Sequence, residues 1–103
     1  MNLEERVQIA ILSKYYGKML TERQQSIMEM YVDNNLSLAE VSAELGISRQ
    51  AVKDALDNAM STLKNMEEKL QFISRDDKIR HIIEENRTIN EETKTKLIAL
   101  LED

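Results

Sequence analysis

Ser48-Arg49-Gln50-Ala51-Val52-Lys53 is the stretch of the sequence whose residue types and spacing point most directly to a chemistry. Arg and Gln carry forked hydrogen-bonding groups that match the edges of guanine and adenine, and Lys supplies a point charge for phosphate. In the first turns of a helix, Arg49, Gln50 and Lys53 project from its leading end. Ser48 stands immediately before them, where a hydroxyl can cap free backbone N–H groups. The second helix of a helix-turn-helix enters the DNA major groove with this end. Asp54 and Asp57 share the same leading end, and repulsion between them and phosphates offsets part of what Arg49 and Lys53 gain. The plainer alternative for all of these residues is a solvated helix start.

Other chemistries find little support. There is no Cys, and the single histidine, His81, cannot build a His-based metal site alone. Glu84-Glu85 and Glu91-Glu92 have no convergent His or metal ligand and read as solvated faces or first-turn acids. Tyr15, Tyr16 and Tyr31 stand among aliphatic residues and read as core or interface, and the methionines as core filler. With no nucleophile–base spacing and no phosphate-cradling glycine loop, the expected class is non-enzymatic. No cofactor, metal or small-molecule substrate is expected.

The elements needed to position Arg49, Gln50 and Lys53 are helices. The chain has 103 residues, 42% of them hydrophobic, with two Gly and no Pro, too little turn chemistry for a sheet. A first helix is predicted from about Leu3 to Tyr16, with Gly17 as its stop. It is apolar on two faces, one carrying Leu3, Val7, Ala10 and Ile11, the other Ile9, Leu12 and Tyr16. A second helix opens with a capping box, Thr21 to Gln24, and ends at Asp33-Asn34-Asn35. A second box, Ser37 to Glu40, opens a short helix from about Leu38 to Leu45 with Leu38, Val41 and Leu45 inward. Gly46 then supplies the left-handed turn, Ile47 anchors it, and Ala39 and Ala43 allow a close helix crossing.

The fourth helix is predicted from about Arg49 to Phe72. Val52, Leu56, Ala59, Leu63, Met66 and Leu70 recur at alternating spacings of four and three, the period of a coiled-coil seam. Two readings of that seam stand side by side: a long core helix, or a helix whose distal half packs on a partner. Ser74-Arg75-Asp76-Asp77 is read as a break. A fifth helix, about Asp76 to Asn86, then carries Ile79, Ile82 and Ile83, and a sixth, capped by Asn90, carries Leu97, Ile98 and Leu101. The expected fold is all-α. One helical domain is expected, with a helix-turn-helix core over about 20–70 and a helical extension over about 74–103.

The run LTERQQSIMEMYVDNNLSLAEVSAELGISRQAVKDALDNAMSTLKNMEEK, Leu20 to Lys69, resembles region 4 of sigma-70-type sigma factors. It is still more similar to the YlxM family of small helix-turn-helix proteins, which the YYGKMLTERQ lead-in, the length and the acidic tail also match. The likeness is good to about residue 75 and general beyond it. The resemblance implies a DNA-binding or regulatory protein. It also implies a link to the signal recognition particle, whose components are encoded beside members of the family, through contact with the particle's RNA or its GTPase. By position, Arg49, Gln50 and Lys53 would face nucleic acid with Ser48 capping, and Arg23 could touch a phosphate. A whole sigma factor needs further domains for which this chain has no room.

Charge runs against strong non-specific DNA binding. The formal net charge is −5, and affinity for phosphates comes from cations. Over residues 37–70, Arg49, Lys53, Lys64 and Lys69 stand against six acids, a net −2, so no basic region is hidden. No apolar run reaches membrane-span length and the N-terminus lacks a signal-peptide pattern, so a soluble cytoplasmic protein is expected. The expected role is a regulator or adaptor in the signal recognition particle pathway. Its expected partners are the particle's RNA or protein, and a second copy held through Leu63, Met66, Leu70, Ile9, Leu12 and Tyr16. The alternatives are a transcription regulator reading duplex DNA with the helix that starts at Arg49, and a pure protein-interaction module.

Overall fold

A computed structural model of the chain describes residues 2–102. Among them are six α-helices and no strand, so the fold is all-α: α1 (Leu3–Tyr16), α2 (Glu22–Met28), α3 (Leu38–Leu45), α4 (Arg49–Leu70), α5 (Phe72–Glu85) and α6 (Glu91–Glu102). The chain divides into two compact units, Met1–Leu70 and Gln71–Asp103.

In the first unit, local chemistry sets the helix ends. The Asn2 side chain accepts the Glu5 N–H at 2.8 Å and caps α1. Gly17 follows α1 but is right-handed (φ −59°), and the chain runs on into a single 3-10 turn, Gly17–Met19. Both capping boxes form: Thr21 with Gln24 at 3.1 and 3.0 Å, and Ser37 with Glu40 at 3.0 and 3.4 Å. Such a cap contributes about 1 kcal/mol. After Met28 the helix widens into one π turn, Glu29–Asp33, closed by the Asn34 N–H on the Glu29 carbonyl at 2.9 Å. Asn35 then turns left-handed (φ 56°), a conformation Asn tolerates better than most residues.

The core of this unit is built on α4, whose Val52, Leu56, Ala59 and Leu63 are all buried. Val41 of α3 and Ile27 and Met28 of α2 are buried with them, and both helices pack against α4. Leu38 and Leu45, expected inward, are half-buried. The far part of α4 is covered by α1, which contributes Ile9, Leu12 and Tyr16, all buried. The Tyr16 hydroxyl donates to the Glu67 carboxylate at 2.6 Å and ties the two helices at that end. At the other end of α1, the Arg6 guanidinium donates to the Tyr31 and Val32 carbonyls at 3.3 and 3.1 Å. It also lies 5.7 Å over the Tyr31 ring, a cation–π contact that fixes the π turn against α1.

The second unit is a helical hairpin, and its start differs from the sequence expectation. The break falls at Gln71, which is left-handed (φ 55°), and α5 begins at Phe72. Ser74-Arg75-Asp76-Asp77 lies inside α5. Polar residues do not end a helix when their side chains find partners. Here Arg75 pairs with Asp76 at 3.2 Å and Arg80 with Asp77 at 3.1 Å. The turn after α5 is built on Asn86, whose side chain accepts the N–H groups of Thr88 and Ile89 at 2.8 and 3.1 Å. Asn90 caps α6 through the Thr93 N–H at 2.8 Å. Lys94 Nζ donates to the Glu84 carbonyl at 3.3 Å and joins the two helices. Of the three isoleucines expected on one face of α5, Ile83 is buried and Ile79 and Ile82 are exposed.

Candidate nucleic-acid interface

The turn before α4 is set by Gly46 at φ +67°, where the backbone is left-handed. The Gly46 and Ile47 N–H groups both return to the Ser42 carbonyl, at 2.9 and 3.2 Å. The Ser42 hydroxyl donates to the Ile47 carbonyl, so one side chain holds both sides of the turn. Ile47 is half-buried. Ser48 then caps α4, its Oγ accepting the Ala51 N–H at 3.0 Å. Val52, Leu56 and Ala59 bury the back of α4 and leave Gln50, Lys53, Asp54 and Asp57 exposed on the other side, and Arg49 is exposed at the first position of the helix.

Four of the five candidate contact residues, Ser48, Arg49, Gln50 and Lys53, thus come together on the first turns of α4. The fifth, Arg23, is exposed near the start of α2. The side chain of neither Arg49 nor Arg23 makes a hydrogen bond or ion pair among the described residues. The other two candidates are engaged on their own helix. Gln50 Nε2 donates to Asp54 Oδ1 at 2.8 Å, and Lys53 Nζ lies 3.3 Å from Asp57 Oδ2. The side chains of the Lys53–Asp57 pair are more than half exposed, and such a pair contributes only about 0.3–0.5 kcal/mol to stability. The signal for both contacts is the i,i+4 spacing visible in the sequence, which makes the acids partners of these side chains as well as repellents of phosphate. Among the described residues of the first turns of α4, Arg49 is therefore the cation without a partner, at a helix start whose dipole adds positive potential.

The six residues expected at a partner seam divide differently. Ile9, Leu12, Tyr16 and Leu63 lie inside the first unit, with α1 of the same chain against α4. Their burial comes from intramolecular packing, so they offer a partner no surface. Met66 is half-buried and Leu70 exposed. The apolar surface left on α1 is its other face, where Leu3, Val7 and Ile11 are 77%, 51% and 42% exposed. Among the described residues no three or more His, Cys, Asp or Glu side chains gather as a metal site would require, and no helix is long and apolar enough to cross a membrane.

Comparison with known proteins agrees with this geometry. Residues 3–102 match the family described as "Putative helix-turn-helix protein, YlxM / p13 like". A UPF0122 protein of Desulforamulus reducens is 45% identical over 73 residues, which cover 71% of this chain and 62% of that protein. A UPF0122 protein of Clostridium kluyveri is 36% identical over 85 residues, 82% of this chain and 73% of the relative. One of Clostridium perfringens is 34% identical over 108 aligned positions, 98% of this chain and 96% of the relative. The chain thus spans less than two thirds of the first relative and nearly all of the last. With a family match that runs over almost its whole length, the chain belongs to the YlxM / p13-like helix-turn-helix family.

Proposed function

We propose that the protein is a non-enzymatic regulator or adaptor that meets nucleic acid through the start of α4. The observation that carries this reading is the capped, exposed leading turn of α4 with Arg49 unpaired on it. The partner we propose is the signal recognition particle, through its RNA or its GTPase, in the cytoplasm. The pathway rests on the family resemblance, and the contact surface rests on α4. Mobility-shift and pull-down measurements with the particle's RNA and GTPase test the reading. Binding that weakens in Arg49→Ala supports it, and no binding to either at moderate salt overturns it.

The second reading is a transcription regulator on duplex DNA. The helix-turn-helix favours it, because α4 presents the end that reads base edges in the major groove. Selection from random DNA would then enrich a site, and Arg49→Ala would cost roughly 1–3 kcal/mol and relax one position of it. We also propose a homodimer, now supported by the outward face of α1 and by Leu70 rather than by the buried seam residues. Sedimentation equilibrium that returns a 12.0 kDa species at micromolar concentration overturns the dimer.

A further inference from the structure

On an ideal helix, Lys53, Asp57, Gln50 and Asp54 fall within an arc of about 100°, centred away from the buried Val52–Leu56–Ala59 side. Two carboxylates therefore occupy the outer face of α4 together with the two side chains offered for contact. Each carboxylate already holds one of them: Asp54 accepts from Gln50 at 2.8 Å and Asp57 pairs with Lys53 at 3.3 Å. The exposure of the Lys53–Asp57 pair means that it adds little to the fold. The effect on a ligand is larger. A phosphate presents only acceptors and negative charge, so it must displace an intrahelical rival and also face the released carboxylate. A base edge presents donors as well as acceptors, and an Asp can accept from the cytosine amine. The same two acids thus oppose contact with the sugar–phosphate backbone more strongly than contact with base edges.

We propose that Asp54 and Asp57 are specificity determinants of the helix-turn-helix. They hold Gln50 and Lys53 in intrahelical contacts and suppress binding through the backbone alone, leaving Arg49 to lead the encounter. This deepens the reading above and rests on it, since it takes the start of α4 to be the nucleic-acid surface.

The test is fluorescence anisotropy of the full chain on a random-sequence DNA duplex across a salt series, with circular dichroism to check the fold of each variant. Asp54→Asn/Asp57→Asn is expected to bind the duplex roughly tenfold more tightly than the unaltered chain. Its dependence of log affinity on log salt should steepen by about one, as Lys53 becomes available to a phosphate. The control is Glu84→Gln/Glu85→Gln, which makes the same change in net charge at two exposed acids of α5. It should change affinity less than about twofold, because the side chains of Gln50 and Lys53 are held by Asp54 and Asp57 and not by these two acids. Equal effects from the two double variants, or none from Asp54→Asn/Asp57→Asn, overturn the proposal. If Arg49→Ala weakens binding while Asp54→Asn/Asp57→Asn leaves it unchanged, the proposal fails and the contact surface stands. If neither the unaltered chain nor Asp54→Asn/Asp57→Asn binds the duplex at low salt, and the particle's RNA is not bound either, both fail.

Discussion

The two units of this chain are built from the same material and reach different degrees of closure. Among the described residues, the first places eleven apolar side chains in its interior, whereas the second buries one, Ile83, and one acid, Asp76. In the first unit every helix starts at a side-chain cap, from Asn2, Thr21, Ser37 and Ser48, and a left-handed Gly46 makes the turn before α4. The second begins at a left-handed Gln71 and leaves Ile79, Ile82 and Leu100 exposed. A hairpin of about this size has little surface to bury, and segments below roughly 40 residues seldom hold a fold by hydrophobic burial alone. The difference teaches where precision is needed. The unit that aims Arg49 has a dense interior behind α4, and the unit without candidate contact residues does not.

The largest effect that would test this contrast is at Leu63, which has no exposed surface. Leu63→Ala removes a fully enclosed side chain between α1 and α4 and should destabilise the first unit by about 2–5 kcal/mol in urea denaturation. A loss below about 1 kcal/mol would mean that α1 does not close over α4. Next, native-state hydrogen exchange should protect core amides of α2 and α4 at least about tenfold more than those of α5 and α6, because local opening follows buried apolar contact. Equal protection in all helices would erase the contrast.

The parts of this fold that could be read from the sequence are those in which one residue type has one structural use. Ser37 with Glu40, Thr21 with Gln24, Gly46 and Ser48 each satisfy a backbone need that few other residues meet, and each stands where expected. The all-α class followed from the scarcity of Gly and Pro. The break at Gln71 was not legible, because Gln in a left-handed conformation carries no compositional signal. The polar run Ser74–Asp77 misled for the opposite reason, as ion pairs let it remain helical. The sequence assigns Ile9, Leu12 and Tyr16 to a partner, since both faces of α1 are apolar and only the packing against α4 turns this one inward. At the candidate interface, residue types and their place on α4 were legible. The engagement of Gln50 and Lys53 with the acids depended on rotamers that spacing permits but does not dictate.

The two left-handed residues sharpen the comparison further. At Gly46 an added Cβ would meet nothing within 4 Å, so Gly46→Ala should cost only the backbone term, about 1–2 kcal/mol. At Gln71 the reverse change, Gln71→Gly, relieves the same term but adds chain entropy to the unfolded state. A net gain between zero and about 1 kcal/mol is expected. Thermal melts of the two variants should therefore move in opposite directions, and a loss of stability in Gln71→Gly would show that the Gln71 side chain is needed where it is.

The smallest effect is expected at Ile82, which is 65% exposed on α5. An apolar side chain this accessible has little burial to lose, so Ile82→Ala should stay within about 0.5 kcal/mol in the isolated chain. Ala also has the better helix propensity, which offsets part of any loss. Ile83→Ala, one position along the same helix, removes a buried side chain and should cost several times more. The ratio of the two measures how much of the second unit is closed. If Ile82→Ala costs as much as Ile83→Ala, the outer face of α5 is covered in solution, and the apparent poverty of this unit's core is made good by another surface.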